Sequence, residues 1–126
     1  MGAAVQDGDV SVITGQEVTW TLPGGQRLSL KVPGADSAMA AKGVLYVLVK
    51  DGGAKLPTRL VLIAQDGSEL GVLNPEPGFS FYYLTPHPDA GVSIVCVTDT
   101  PINGWQDWHF AYNSGKKALV RLGPAY

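Results

Sequence analysis

Apolar residues along this chain fall in short runs, separated at close intervals by glycine, proline, asparagine and aspartate. Glu17 to Leu22 alternates, with Val18, Trp20 and Leu22 on one side. Gln26 to Val32 alternates again, with Leu28, Leu30 and Val32 aligned. Successive side chains of a strand point to opposite faces, so both runs predict strands with one buried face. Pro23-Gly24-Gly25 between them predicts a hairpin turn. Three runs lack the alternation: Val44 to Val49, Thr58 to Ala64 and Val92 to Thr98 are apolar at nearly every position. Such strands are covered on both faces.

Phe79 to Leu84 predicts a strand with Phe79, Phe81 and Tyr83 on one face and Tyr82 and Leu84 on the other. Thr85-Pro86-His87-Pro88-Asp89 reads as a loop, because its two prolines lack the donors a ladder needs. Asp36 to Lys42 is the one stretch that reads as a helix. Asp36 or Ser37 can cap it, its alanines favour it and Gly43 ends it. The pattern as a whole predicts an all-β protein with a single domain over residues 1–126, of which 1–8 are loose. It has about nine short strands and at most one short helix, around 36–42. A β-sandwich, a jelly roll or a small closed barrel would bury the two-sided strands.

Composition supports this picture. The 126 residues are 45% apolar, and 16 glycines with 9 prolines supply many turns. Net charge is −2 and no basic stripe is present, which argues against nucleic acid as a partner. The lone Cys96 sits in an apolar run and reads as a small buried hydrophobe. No basic segment with a following apolar run opens the chain, and the longest apolar run is too short to span a bilayer. The expectation is a cytoplasmic protein without membrane contact, although a mature secreted chain would read the same.

Phosphate-binding glycine loops and a nucleophile elbow are absent from the sequence. Chemistry concentrates instead in Asn103 to Tyr112, which holds Trp105, Asp107, Trp108 and His109. As a strand, this stretch turns Trp108, Phe110 and Tyr112 to the core. Trp105, Asp107, His109 and Ala111 then share the other face. An aromatic plate beside an acid and an imidazole suits a small ligand, a sugar or a heteroaromatic. Asn103 and Gln106 adjoin that face. His87, with Asp89, would complete a two-histidine carboxylate cluster if its loop folded over; nothing in the sequence requires that, and no metal or cofactor is expected.

The leading functional expectation is therefore a non-enzymatic ligand-binding domain with its site at Trp105, Asp107, His109, Asn103, Gln106 and His87. One alternative is a structural subunit of a homo-oligomer or larger assembly, because uncharged strands at a sheet edge would invite a homodimer. A second alternative is a small-barrel enzyme using His109 and Asp107 as an acid–base pair, which requires the two side chains in contact inside a cleft.

Overall fold

The computed structural model describes residues 8–125, and these form eleven strands and no helix. Strands β1 (Asp9–Ile13), β2 (Glu17–Thr21) and β3 (Arg27–Lys31) make the first sheet. β4 (Ala35–Ala41), β5 (Val44–Val49), β6 (Arg59–Ala64) and β7 (Glu69–Leu73) make the second. β8 (Phe79–His87), β9 (Gly91–Ile102), β10 (Trp105–Asn113) and β11 (Ala118–Pro124) make the third. Every pairing is antiparallel and joins strands consecutive in the chain. The fold is thus three meanders packed as a sandwich. A jelly roll would require Greek-key crossovers, and no pairing skips a strand. Each sheet order has two ends, so the barrel alternative does not describe it either.

The second sheet lies between the other two. Leu45, Val47, Val49, Val61 and Ile63 join Val18 and Trp20 in a front core. Tyr46, Leu48, Leu60 and Leu62, of opposite parity, join Phe81, Ile94, Cys96, Trp108 and Phe110 in a back core. This explains why β5 is apolar at every position and β6 at every position after Arg59: neither of their faces meets water there. β9 is also buried on both faces, but for another reason. Its Val95 lies between Tyr83 and His109 across the ladder, so large neighbours on the same sheet cover it.

Three sequence expectations are corrected. The helix expected around 36–42 is strand β4, paired with β5 from Ala35↔Val49 to Ala41↔Val44. Ala38 and Ala40 pack on the front core while Met39 and Ala41 meet the back core. Small side chains let β4 fit between layers, and this tertiary demand overrides the helix preference of alanine. The stretch Thr85 to His87, expected as loop, belongs to β8. Pro86 is tolerated because β8 is an edge strand, where one missing donor breaks no ladder. Finally, a register shift between Phe81 and Tyr83 inserts Tyr82 as a bulge. Leu84, not Tyr83, therefore packs on the core with Phe79 and Phe81, and Tyr83 is exposed.

Residues 1–7 of the expected loose amino terminus lie outside the described residues. Gly8 itself is packed closely: a Cβ there would collide with the Thr21 carbonyl oxygen. Gly34 (φ +84) closes the link from β3 to β4, with the Lys50 carbonyl oxygen 2.9 Å from where a Cβ would sit. Ahead of β6, Arg59 donates to both oxygens of Asp51, at 2.8 and 2.9 Å. Hydrogen bonds from Arg59 and Thr58 hold the exposed Asp51 carboxyl down to about 2. Among the described residues no helix is long and apolar enough to cross a membrane.

Candidate functional site

β10 carries the residues singled out by sequence. Trp108 and Phe110 enter the back core and Tyr112 packs against it. Phe79 meets Phe110 edge-on, with ring centroids 5.0 Å apart. Arg121 lies over the Trp108 ring at 4.8 Å, and the indole N–H of Trp108 donates to the Trp105 carbonyl oxygen at 3.0 Å. Asp107 and His109 have the opposite parity and are half-buried on the outer face of the third sheet. Trp105 is 40% exposed at the start of the strand. It pairs with Ile102 whereas Asp107 pairs with Val97, so β9 bulges out between them. Asn103 and Gln106 are exposed. Asn103 (φ 52) and Gly104 (φ 84) form the two-residue turn between β9 and β10, with the positive φ values of a type I′ hairpin.

His109 finds its partner on the neighbouring strand. Its Nδ1 lies 2.6 Å from the hydroxyl of Ser93, which is wholly buried. His87 comes against it from the other side of β9, its ring 5.6 Å from that of His109 and inclined by 69°. The β8–β9 ladder sets this approach, with His87 opposite Gly91 and Thr85 opposite Ser93. The backbone N–H groups of Asp89 and Ala90 donate to Nδ1 of His87, at 3.2 and 3.1 Å. The neutral His87 ring therefore carries its proton on Nε2. The structure thus brings His87 and His109 together and adds Ser93, which sequence reasoning passed over. Its signal was one polar residue inside an otherwise apolar run. Asp107 does not hydrogen-bond His109, whose partner is Ser93. Among the described residues, no group of three or more His, Cys, Asp or Glu is placed to hold a metal ion.

Burial first, and the nearby His87 ring second, hold the pKa of His109 below the usual 6.5. Stability then depends on pH with a definite sign. As pH falls below 6.5, the unfolded chain takes up the proton before the folded one does. Stability declines until folded His109 itself protonates, and this contribution is flat below that point. Urea midpoints measured from about pH 8 to pH 5 should fall through this window, and His109→Gln should remove its share of the fall.

Cys96 is fully buried, and burial pushes its thiol up to about 12. It is a core side chain, as its apolar surroundings in sequence implied. A thiol reagent such as DTNB should leave the native protein unmodified and titrate one thiol in denaturant.

Two clefts lie elsewhere, and none of the six residues nominated from sequence lines them. One, of about 410 Å³, lies between the first and second sheets and includes Lys31, Arg59, Glu69 and Ile63. Arg59 is already committed there to Asp51. The other, of about 450 Å³, is lined by Lys42, Val44, Tyr46, Leu70, Ala90, Tyr112, Ser114 and Lys117. Comparison with protein-family models, with curated proteins and with solved structures finds no match to the chain.

Proposed function

We propose that the chain is a non-enzymatic recognition domain that binds a small hydrogen-bonding ligand, a sugar or a heteroaromatic, on the outer face of the third sheet. The observation supporting this reading is the pair of imidazoles, His87 and His109, set edge to face beside a buried serine hydroxyl. Two ring edges and the Asp107 carboxylate offer hydrogen bonds on a stiff sheet, and the exposed Trp105 adds a flat apolar plate. The same geometry favours binding over catalysis. Ser93 is sealed from solvent, and Asp107 does not orient His109, so neither a nucleophile nor an acid–base pair is assembled. A single buried thiol suits the cytoplasmic setting that accompanies this reading.

The test is a titration of monosaccharides and heteroaromatic bases, followed by tryptophan fluorescence and by imidazole ¹⁵N resonances. With two histidines in the chain, each ring can be assigned. A binder should shift both rings, and His109→Ala should weaken it by about tenfold. Silence in both signals across the panel would sink the proposal.

A second reading, a self-associating subunit, is favoured by a specific observation. The apolar runs Thr58 to Ala64 and Val92 to Thr98, which would invite pairing if they lay at an edge, are interior to their sheets. The edge strand β7, however, exposes Leu70 at 46% and Val72 at 42%, with Glu69 its one charge. Natural edges usually carry charge or proline to prevent pairing. On this reading sedimentation shows a concentration-dependent homodimer, and Val72→Lys makes it monomeric; a monomer at all concentrations rules the reading out.

A further inference from the structure

The cleft lined by Lys42, Tyr46, Tyr112, Ser114 and Lys117 differs in kind from the rest of the surface. The chain is acidic overall, yet among the described residues no carboxylate lines this cleft. Its polar side chains are two ammonium groups, two phenols and a serine hydroxyl, and all of them can donate. Val44, Leu70 and Ala90 supply apolar walls. Tyr46 is 6% exposed, and no buried side-chain nitrogen or oxygen among the described residues is left without a partner. Its ring packs in the back core while its side chain helps to line the cleft. Burial, with the neighbouring Tyr112, raises its pKa, so it stays a neutral donor at physiological pH.

The backbone adds an independent observation. Among the described residues three non-glycine positions have left-handed φ, namely Lys42 (φ 52), Asn103 (φ 52) and Lys117 (φ 53). Asparagine is at home in that region and lysine is not. Two lysines thus occupy unfavourable backbone positions, and both line this cleft. Lys42 is also fixed in direction, since its ammonium donates to the Asp89 carbonyl oxygen at 2.6 Å. Two of its three protons remain for another acceptor.

We propose that this cleft binds a small organic acid, with a carboxylate or phosphate head between Lys42 and Lys117 and an apolar, ring-sized body against Val44, Leu70 and the tyrosines. A volume of about 450 Å³ is within the range of small-molecule sites. The head could also accept a hydrogen bond from the Tyr46 hydroxyl. The site adjoins the imidazole face, since the Ala90 N–H donates to His87, but its cations are Lys42 and Lys117 alone, so either site can fail without the other.

The experiment uses the whole chain and four probes. Benzoate and phenyl phosphate carry head and body, benzyl alcohol carries the body alone, and inorganic phosphate the head alone. Amide spectra should show millimolar binding of one or both acids at Ser114 and Lys117, weakening with added salt. Each of Lys42→Asn and Lys117→Asn should weaken that binding by about tenfold. Because asparagine accepts left-handed φ, each variant should melt at the same temperature as the parent or higher, which separates lost binding from lost folding. Tyr46→Phe removes only the hydroxyl and should weaken binding with little change in stability. The proposal is overturned if neither acid shifts these amides, if benzyl alcohol binds as well as they do, or if the asparagine variants bind unchanged. Equal binding of inorganic phosphate would overturn the claim for an apolar body. Shifts at the His87 and His109 rings instead would belong to the other site.

Discussion

Trp20→Ala is expected to destabilise the chain by about 3–5 kcal/mol, the usual cost of truncating a fully buried aromatic. Trp20 is wholly buried and the largest side chain in that condition. Domains of this kind are stable by about 5–15 kcal/mol in total, so the variant sits near the folding threshold. The loss should be uneven. Trp20 belongs to the front core, with Val18, Val47 and Ile63, and makes no part of the back core. Hydrogen exchange should therefore accelerate most in β1–β3, while amides of β9 and β10 keep more of their protection. Urea denaturation gives the total and exchange gives the distribution. Uniform loss across all three sheets would mean that the two cores melt as one unit.

The second large effect concerns adjacent residues. Val47→Asp and Leu48→Asp should each prevent folding, although their side chains point in opposite directions. Val47 lies in the front core and Leu48 in the back core, and both are wholly buried. Burying a carboxylate without a partner costs several kcal/mol on either side. In an outer sheet the pair would behave differently. Phe110→Asp on β10 should unfold the protein, whereas the neighbouring Ala111→Asp, half-exposed on the outer face, should be tolerated. Circular dichroism of the four variants checks the three-layer arrangement directly: a folded Val47→Asp protein would mean that the front sheet does not cover the middle one.

Much of this architecture is legible in the residues. The unbroken apolar runs of β5 and β6 reveal a layer without a wet side, and the 105–112 stretch places Trp108 and Phe110 correctly in the core. What hides the rest is specific. Alanine at 38, 40 and 41 is too small to advertise a strand, and its helix preference misleads when two layers press on it. The bulge at Tyr82 reverses the parity of everything after it, and no local pattern announces such an insertion. Pro86 looks like a breaker until β8 is known to be an edge. Asn103 and Gly104, counted from sequence with the aromatic strand, are the turn that leads into it, although their dipeptide is a strong hairpin signal.

The candidate sites show the same limit. His109 and Asp107 are neighbours by strand parity, so sequence suggests them as a pair. The actual partners of His109, Ser93 and His87, come from two other strands. The acid-binding cleft draws on Lys42, Tyr46, Tyr112 and Lys117, which no short-range pattern unites.

The stacking of uninterrupted meanders also bears on how the protein is made. Each strand finds its ladder partner immediately before or after it in the chain, so little loop closure precedes each pairing. An all-β protein is usually slow to fold because its pairings are distant, and this one escapes much of that delay. On the ribosome, each sheet can close before synthesis of the next begins, and the middle one waits with one face bare until β8–β11 emerge to cover it.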